Sequence, residues 1–280
     1  MNRRRTIRLL SGLLLAALLL PALAVRAADS GPGLRSAKGL ILDLDSGQAL
    51  YEKEPDAVTA IASVTKLMTA MVVIDAKLPM EEKITVTRAD RDQYRGSGSR
   101  LAYDSVLTRR QLLQLALMAS ENRAANALAR TYPGGTTAFV AAMNRKAKLL
   151  GMRNSHFSDP AGLHSENVST AHDLVRMVKT ALDYDLIRQF TTSWEMEVPV
   201  GKRRALVTYH NTNRLLNNDD WEIGLSKTGY ISDSGRCLVM QARIAGAPVI
   251  LVLLDSWGKL TPLGDANRAR KWIEKQKRDS

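Results

Sequence analysis

The chain has 280 residues, of which 45% are hydrophobic and 24% charged, and its formal net charge is +12. That balance excludes a disordered chain, and the length suits one domain or two lobes built around one site. A single cysteine, Cys237, excludes an intramolecular disulfide framework, and its apolar surroundings suit a small core residue better than a reactive thiol.

At the N-terminus, Arg3, Arg4, Arg5 and Arg8 precede an apolar run from Leu9 to Leu20, and small residues follow as far as Val25-Arg26-Ala27. A run this short does not span a bilayer, so residues 1–27 read as a secretory signal peptide, with an uncleaved anchor as the alternative. Cleavage near Ala27 removes Arg3, Arg4, Arg5, Arg8 and Arg26 and no acid, which lowers the formal charge from +12 to +7. A basic exported protein suits an anionic wall or membrane surface, and nucleic acid is not expected as a partner.

Next, AKGLILDLDSGQALYEKEP reads as two short strands joined at Asp45-Ser46-Gly47. An apolar helix is expected from about Ser63 to Ala76, stopped before Pro79, and EKITVT reads as a short strand. The middle of the chain is helical. Thr108 is the expected N-cap for RRQLLQLALMA, Thr136 for TAFVAAMNRKAKLL with Gly151 at its end, and Thr170 with Asp173 opens AHDLVRMVKTALD. Strand patterns return in WEMEVPV and RALVTYHN, then in RCLVMQARIAG and PVILVLLDS, before a basic helix over LGDANRARKWIEKQKR. The expected fold is α/β of the α+β kind: an antiparallel sheet built from both chain ends, with a helical lobe inserted and a cleft between the two.

Chemistry enters at Ser63. On a helix, Ser63 and Lys66 share one face, and a serine hydroxyl is a weak nucleophile until a neighbouring base takes its proton. Lysine can be that base when burial and nearby positive charge leave it neutral. The spacing alone carries little, since 19 serines and 14 lysines predict about one chance match, and Ser256 with Lys259 is a second one. Two further stretches carry the argument: Ser120-Glu121-Asn122 between two helical segments, and Lys227-Thr228-Gly229 at a strand. A second Ser-x-Asn, Ser165-Glu166-Asn167, falls in a Gly-containing loop.

These three elements in this order resemble those of the penicillin-recognising serine enzymes, the D-alanyl-D-alanine peptidases and class A β-lactamases. SENRAANALA, SDPAGLHSENVSTAHDL and SKTGYISDSGRCLVM are most similar to the penicillin-binding protein 7 type of D-alanyl-D-alanine endopeptidase, over about Leu34 to Ser256. The resemblance implies that residues 28–280 form a D,D-peptidase domain without the separate β-rich C-terminal domain of larger relatives. It also implies that Ser63 is the acylated nucleophile, Lys66 its general base and Ser120 a proton relay towards the leaving amine. Asn122 would hold the substrate amide and the Lys66 side, while Lys227 and Thr228 take a carboxylate. Backbone N–H groups of Ser63 and Tyr230 would form the oxyanion hole, with Gly229 permitting close approach.

The resemblance implies peptidoglycan stem peptides and crosslinks as substrates in the periplasm, with membrane association after processing as the alternative to a free protein, β-lactams as covalent inhibitors, and no metal or organic cofactor. A β-lactamase is the alternative, but Glu166 in ENVST departs from the deacylating Glu-x-x-Leu-Asn loop of that family. A slow or non-catalytic β-lactam sensor is the other.

Other features read as ordinary. His156, His164, His172 and His210 lack metal-ligand spacing, Arg123 and the basic tail read as solvated faces, with contact to anionic glycan peptide as the alternative, and Arg95–Arg100 reads as a surface loop, with a place at the border of the cleft as the alternative.

Overall fold

Lys38–Asp43 (β1) is buried along its whole middle, with Leu40 and Leu42 facing one way and Ile41 the other, so both sides of this strand must be covered. The computed structural model describes residues 31–279, and the expected signal peptide lies outside the described residues. Ala49–Lys53 (β2) returns from β1 through a turn in which the Asp43 carboxylate accepts from the Ser46 N–H at 2.8 Å. Thr59–Ala60 (β3) then leads into a 3-10 turn, Ala62–Thr65, and the helix Lys66–Asp75 (α1).

The inserted lobe follows in order: Lys83–Thr85 (β4), Val106–Thr108 (β5), Arg109–Met118 (α2), Asn122–Arg130 (α3), Gly135–Leu149 (α4), Val168–Ser169 (β6), Ala171–Ala181 (α5) and Asp185–Thr192 (α6). A hairpin, Glu195–Val200 (β7) and Ala205–His210 (β8), precedes three long strands, Glu222–Ile231 (β9), Gly235–Ile244 (β10) and Ala247–Ser256 (β11), and the closing helix Thr261–Asp279 (α7).

The main sheet has the order β2-β1-β11-β10-β9 and is antiparallel throughout, with Ile41 opposite Leu251 and Val239 opposite Lys227. Strands from both chain ends therefore share one sheet, and its alternating side chains feed two cores. Leu40, Val239, Ile250 and Val252 pack into the helical lobe, while Ile41, Leu238, Met240 and Leu251 pack under Ala266, Ala269 and Ile273 of α7. In the lobe, α1 is the central helix: Leu67, Met68 and Met71 have no exposed surface, and each such side chain contributes roughly 1.5–3 kcal/mol of burial.

Several helix ends follow the local chemistry read from the sequence. Thr108 accepts from the Gln111 N–H, and Gln111 returns the bond to the Thr108 N–H, a complete capping box. Thr170 accepts from the Asp173 N–H, but the Asp173 carboxylate turns away to the Asn154 N–H and the Ser155 hydroxyl. Thr136 is not a cap. The preceding residue pair does that work, with Gly134 in the left-handed region at φ 84° and α4 opening at Gly135. The helix expected from Ser63 begins at Lys66, because the first turn is 3-10.

Cys237 is buried, and burial raises its thiol pKa to about 11, in keeping with a core role. No group of three or more His, Cys, Asp or Glu side chains is placed to hold a metal among the described residues.

Candidate active site

The 3-10 turn that carries Ser63 is entered through Ala62, which sits at φ 47°, a conformation disfavoured for a residue with a side chain. Neighbouring backbone wedges it there. A Cβ on Gly162 would lie 1.9 Å from the Ala62 carbonyl oxygen, so only glycine lets the 159–164 loop pass beneath the turn. A second glycine guards the other side, since a Cβ on Gly229 of β9 would stand 3.0 Å from the Ser63 backbone nitrogen.

One turn after Ser63, the Lys66 side chain is fully buried, and its Nζ lies 2.8 Å from Ser63 Oγ, 2.7 Å from Asn122 Oδ1 and 2.6 Å from the Ala161 carbonyl oxygen. The amide oxygen and the carbonyl can only accept, so two N–H bonds of a neutral amine go to them. The remaining lone pair then points at the Ser63 hydroxyl, the geometry a general base requires.

Ser120 sits between α2 and α3 and itself adopts φ 57°, whereas at Ser63 the left-handed residue is the preceding Ala62. Lys227 donates to Ser120 Oγ at 2.9 Å and to the Thr228 carbonyl at 2.9 Å. Glu121, between the two motif residues, is the N-cap of α3 through the Arg123 N–H and also accepts from the Ser99 hydroxyl at 2.7 Å. It thus fixes both the start of α3 and the loop before α2.

Burial lowers both lysines. Lys66 falls to about 8, with the carboxylates of Asp159, Glu121 and Asp92 opposing a further drop. Lys227 also falls well below the ordinary lysine range, first by burial and then by the charge of Lys66. Two buried ammoniums across one cleft disfavour each other, so the pair releases its first proton far more readily than exposed lysines do.

The cleft encloses about 350 Å³ and is lined by Ser63, Ser120, Asn122, Thr228, Gly229 and Tyr230 together with residues not anticipated from the sequence. Its floor strand, β9, is the edge of the sheet, without a further strand beside it. Along β9, Lys227 and Gly229 face Ser120 and the Ser63 turn. Thr228 and Tyr230 face the opposite side, where Thr228 Oγ1 donates to Thr212 Oγ1 at 2.6 Å. All eight sequence-derived residues are therefore gathered at one place, on both flanks of one strand.

Sequence reading missed the Ala161 carbonyl, which has no side-chain signature. It is set by Asp159, whose buried carboxylate accepts from the N–H groups of Ala161, Gly162, Leu163 and His164 and from Asn167. Asp159-Pro160 and Gly162 are the turn signals that could have exposed this loop.

The segment Arg95–Arg100 is more than a surface loop: Asn122 Nδ2 donates to Ser97 Oγ at 3.0 Å, and Arg95 bonds the Leu163 carbonyl, Ser232 and Asp233. Arg123 is likewise half-buried, stacked 4.1 Å over the Tyr103 ring. The decoys separate cleanly. Ser256 is buried against Ser36, and Asn167 braces the Asp159 loop. Glu166 is exposed beside His164.

Comparison with known proteins gives a consistent set. The profile described as D-alanyl-D-alanine carboxypeptidase matches residues 25–258. The chain is 47% identical over 241 residues to a D-alanyl-D-alanine endopeptidase of Pseudomonas aeruginosa, covering 86% of this chain and 78% of that one. It is 45% identical over 245 residues to a D-alanyl-D-alanine endopeptidase of Escherichia coli, covering 88% and 79%. Among solved structures, the DD-transpeptidase of Streptomyces K15 superposes with a TM-score of 0.80 at 28% identity, covering 87% of this chain and 98% of that one. Penicillin-binding protein D2 of Listeria monocytogenes, in its cefotaxime-bound form, gives 0.74 at 26% identity, covering 85% and 96%.

Proposed function

Because the chain belongs to the D-alanyl-D-alanine carboxypeptidase family, we propose that it is a serine D,D-peptidase that opens peptide crosslinks of peptidoglycan, with removal of terminal D-alanine as a second activity. The observation that carries this reading is the 2.8 Å approach of Lys66 Nζ to Ser63 Oγ inside a cleft that also holds Ser120 and Lys227.

In the proposed reaction, Lys66 takes the Ser63 proton as Oγ attacks the D-alanyl carbonyl. The developing oxyanion is held by the Ser63 and Tyr230 N–H groups, donors of a kind worth about 3 kcal/mol each. The proton returns through Ser120, with Lys227 beside it, to the departing amine, and the C–N bond breaks to leave an ester on Ser63. Water then cleaves the ester and restores the hydroxyl. Asn122 holds the substrate amide, and Lys227 with Thr228 holds the carboxylate beside the scissile bond. An extended peptide lies along the open edge of β9 as an added strand.

β-Lactams enter the same cleft and acylate Ser63. The exposed position of Glu166 supports slow deacylation and a peptidase over a β-lactamase. Residues 1–27 act as the export leader, residues 28–280 form the catalytic domain, and the mature protein works in the periplasm. Among the described residues no helix is long and apolar enough to cross a membrane.

Digestion of purified crosslinked muropeptides tests the activity: release of monomers is expected, and its lack at every pH would leave only a β-lactam sensor. Labelling with a fluorescent penicillin tests acylation separately, with label lost in Ser63→Ala and retained label refuting the nucleophile.

A further inference from the structure

Trp257 is 98% exposed, more than any other large hydrophobic side chain among the described residues, although burying an indole is one of the larger gains open to a folding chain. It makes no hydrogen bond or ring contact among the described residues. Its backbone is nevertheless fixed. On one side Ser256 is buried and shares a 2.7 Å hydrogen bond with Ser36, and on the other the Thr261 N–H donates to the Gly258 carbonyl at 3.1 Å, closing a tight turn into α7. Leu260, in the same turn, is 61% exposed. The indole is thus held out in solvent by an anchored turn.

Sheet register places that turn beside the cleft. Tyr230 on β9 is opposite Arg236 on β10, and Arg236 is opposite Ser256 on β11, so one row across three strands leads from Tyr230 to the residue before Trp257. Two strand spacings make that separation about 10 Å. Leu260 lines the cleft together with Ser63 and Thr228, and Trp257 stands just outside it. Tyr230 and Thr228 lie on the flank of β9 turned away from Ser120, the side on which the released peptide departs.

The polar lining of the cleft serves the amide and carboxylate of a peptide and leaves an indole outside it unused. A peptide released from a crosslink, unlike a single D-alanine, remains joined to a sugar of the glycan strand. An extended chain advances about 3.3–3.6 Å per residue, so three or four residues place that sugar roughly 10–14 Å from the scissile bond, a reach comparable to that of Trp257. The surfaces match as well. The electron-rich face of an indole attracts the polarised C–H groups on one side of a pyranose, while its N–H can donate to an oxygen at the ring edge. Trp257 and Leu260 together offer at most a few hundred Å² of apolar surface. That area suits one or two sugar rings and falls well short of the roughly 1,000 Å² of a specific protein interface. We propose that Trp257, with Leu260 beside it, is a stacking platform for a sugar ring of the glycan strand that carries the leaving peptide. This rests on the proposed peptidase activity and deepens it, because a crosslink brings a sugar to that side and a terminal D-alanine does not.

The test uses one crosslinked muropeptide in two forms, with its disaccharides and with the sugars removed. For the wild-type protein, kcat/KM is expected to be about tenfold higher with the sugars, mostly through a lower KM. Trp257→Ala should abolish that preference while leaving cleavage of the sugar-free form, removal of terminal D-alanine and acylation by penicillin unchanged, and Trp257→Phe should keep most of it. Equal cleavage of both forms by the wild type, or a preference that Trp257→Ala retains, overturns the platform and leaves the peptidase reading standing. Sedimentation with phosphatidylglycerol vesicles examines the rival occupant: Trp257-dependent pelleting without a sugar preference would put a membrane surface there and overturn the glycan. If neither form is cleaved, the peptidase reading fails separately, and sedimentation with insoluble glycan stripped of its peptides decides the platform. Binding lost in Trp257→Ala supports it, whereas no binding, or binding that the variant keeps, overturns it.

Discussion

Gly229 and Ser63 sit so close across the cleft that one added carbon on the glycine would lie 3.0 Å from the serine backbone nitrogen and equally close to the Ile61 carbonyl. Strand β9 is therefore seated directly on the turn that carries the nucleophile. In Gly229→Ala the strand must retreat by a few tenths of an ångström, and the N–H groups on either side no longer converge on one oxygen. Acylation by a fluorescent penicillin should slow about 100-fold while the thermal midpoint moves little. An unaltered acylation rate would show that this seat does not position the site.

Lys66 tests the identity of the base. Lys66→Ala should reduce acylation by about 10²–10⁴-fold, and Lys66→Arg should not restore it, because a guanidinium does not release a proton. Labelling of the arginine variant at the wild-type rate would remove Lys66 from the role of base.

The pH dependence follows from the direction of its shift. Burial brings Lys66 down to about 8, so below that pH the amine is mostly protonated and above it mostly free. The rate of acylation should rise through a midpoint near pH 8, well under the midpoint of an ordinary lysine. A rate that falls over this interval would contradict the base role. Stopped-flow or gel-based labelling between pH 6 and 9.5 reads this directly.

Asp159 joins stability to catalysis. Its carboxylate gathers the N–H groups of Ala161, Gly162, Leu163 and His164, and its charge is the largest influence opposing the drop of Lys66. Asp159→Asn should cost about 2 kcal/mol of stability, measured by denaturant unfolding. Because removing the negative charge makes the ammonium harder to keep, the midpoint of the acylation profile should also move below 8. Loss of stability with no movement of the midpoint would confine Asp159 to a structural part.

Cys237 gives a negative control. Although it borders the cleft, burial raises its thiol to about 11, so at pH 7.5 it carries almost no thiolate. Iodoacetamide should leave native acylation intact and modify the cysteine only after unfolding, as mass spectrometry would show.

Much of this arrangement was legible in the sequence because it is written in side chains at local spacings. Ser63 and Lys66 lie one helical turn apart, Ser120 and Asn122 mark the break between two helices, and Lys227 to Gly229 lie on one strand. The capping chemistry of Thr108 was readable for the same reason, since both partners are three residues apart. Thr136 misled because a cap is defined by backbone conformation, and the left-handed Gly134 had already opened that helix. The Ala161 carbonyl was invisible for a different reason. It is a backbone atom brought to Lys66 across 95 residues of chain by the Asp159 loop, and nothing in an alanine announces it. Arg214, Arg236 and Lys259, which also line the cleft, come from three separate segments, and the adjacency of β9, β10 and β11 in the sheet brings them together.

The exposed position of β9 bears on how the protein tolerates itself. A sheet edge left open for a guest peptide is also a template on which a second copy could dock its own edge and begin a fibre. Arg214, Arg236 and Lys259 face a twin copy with the same sign of charge, so two such edges repel while an anionic peptide is drawn in. The positive rim beside the open edge thus keeps identical molecules apart.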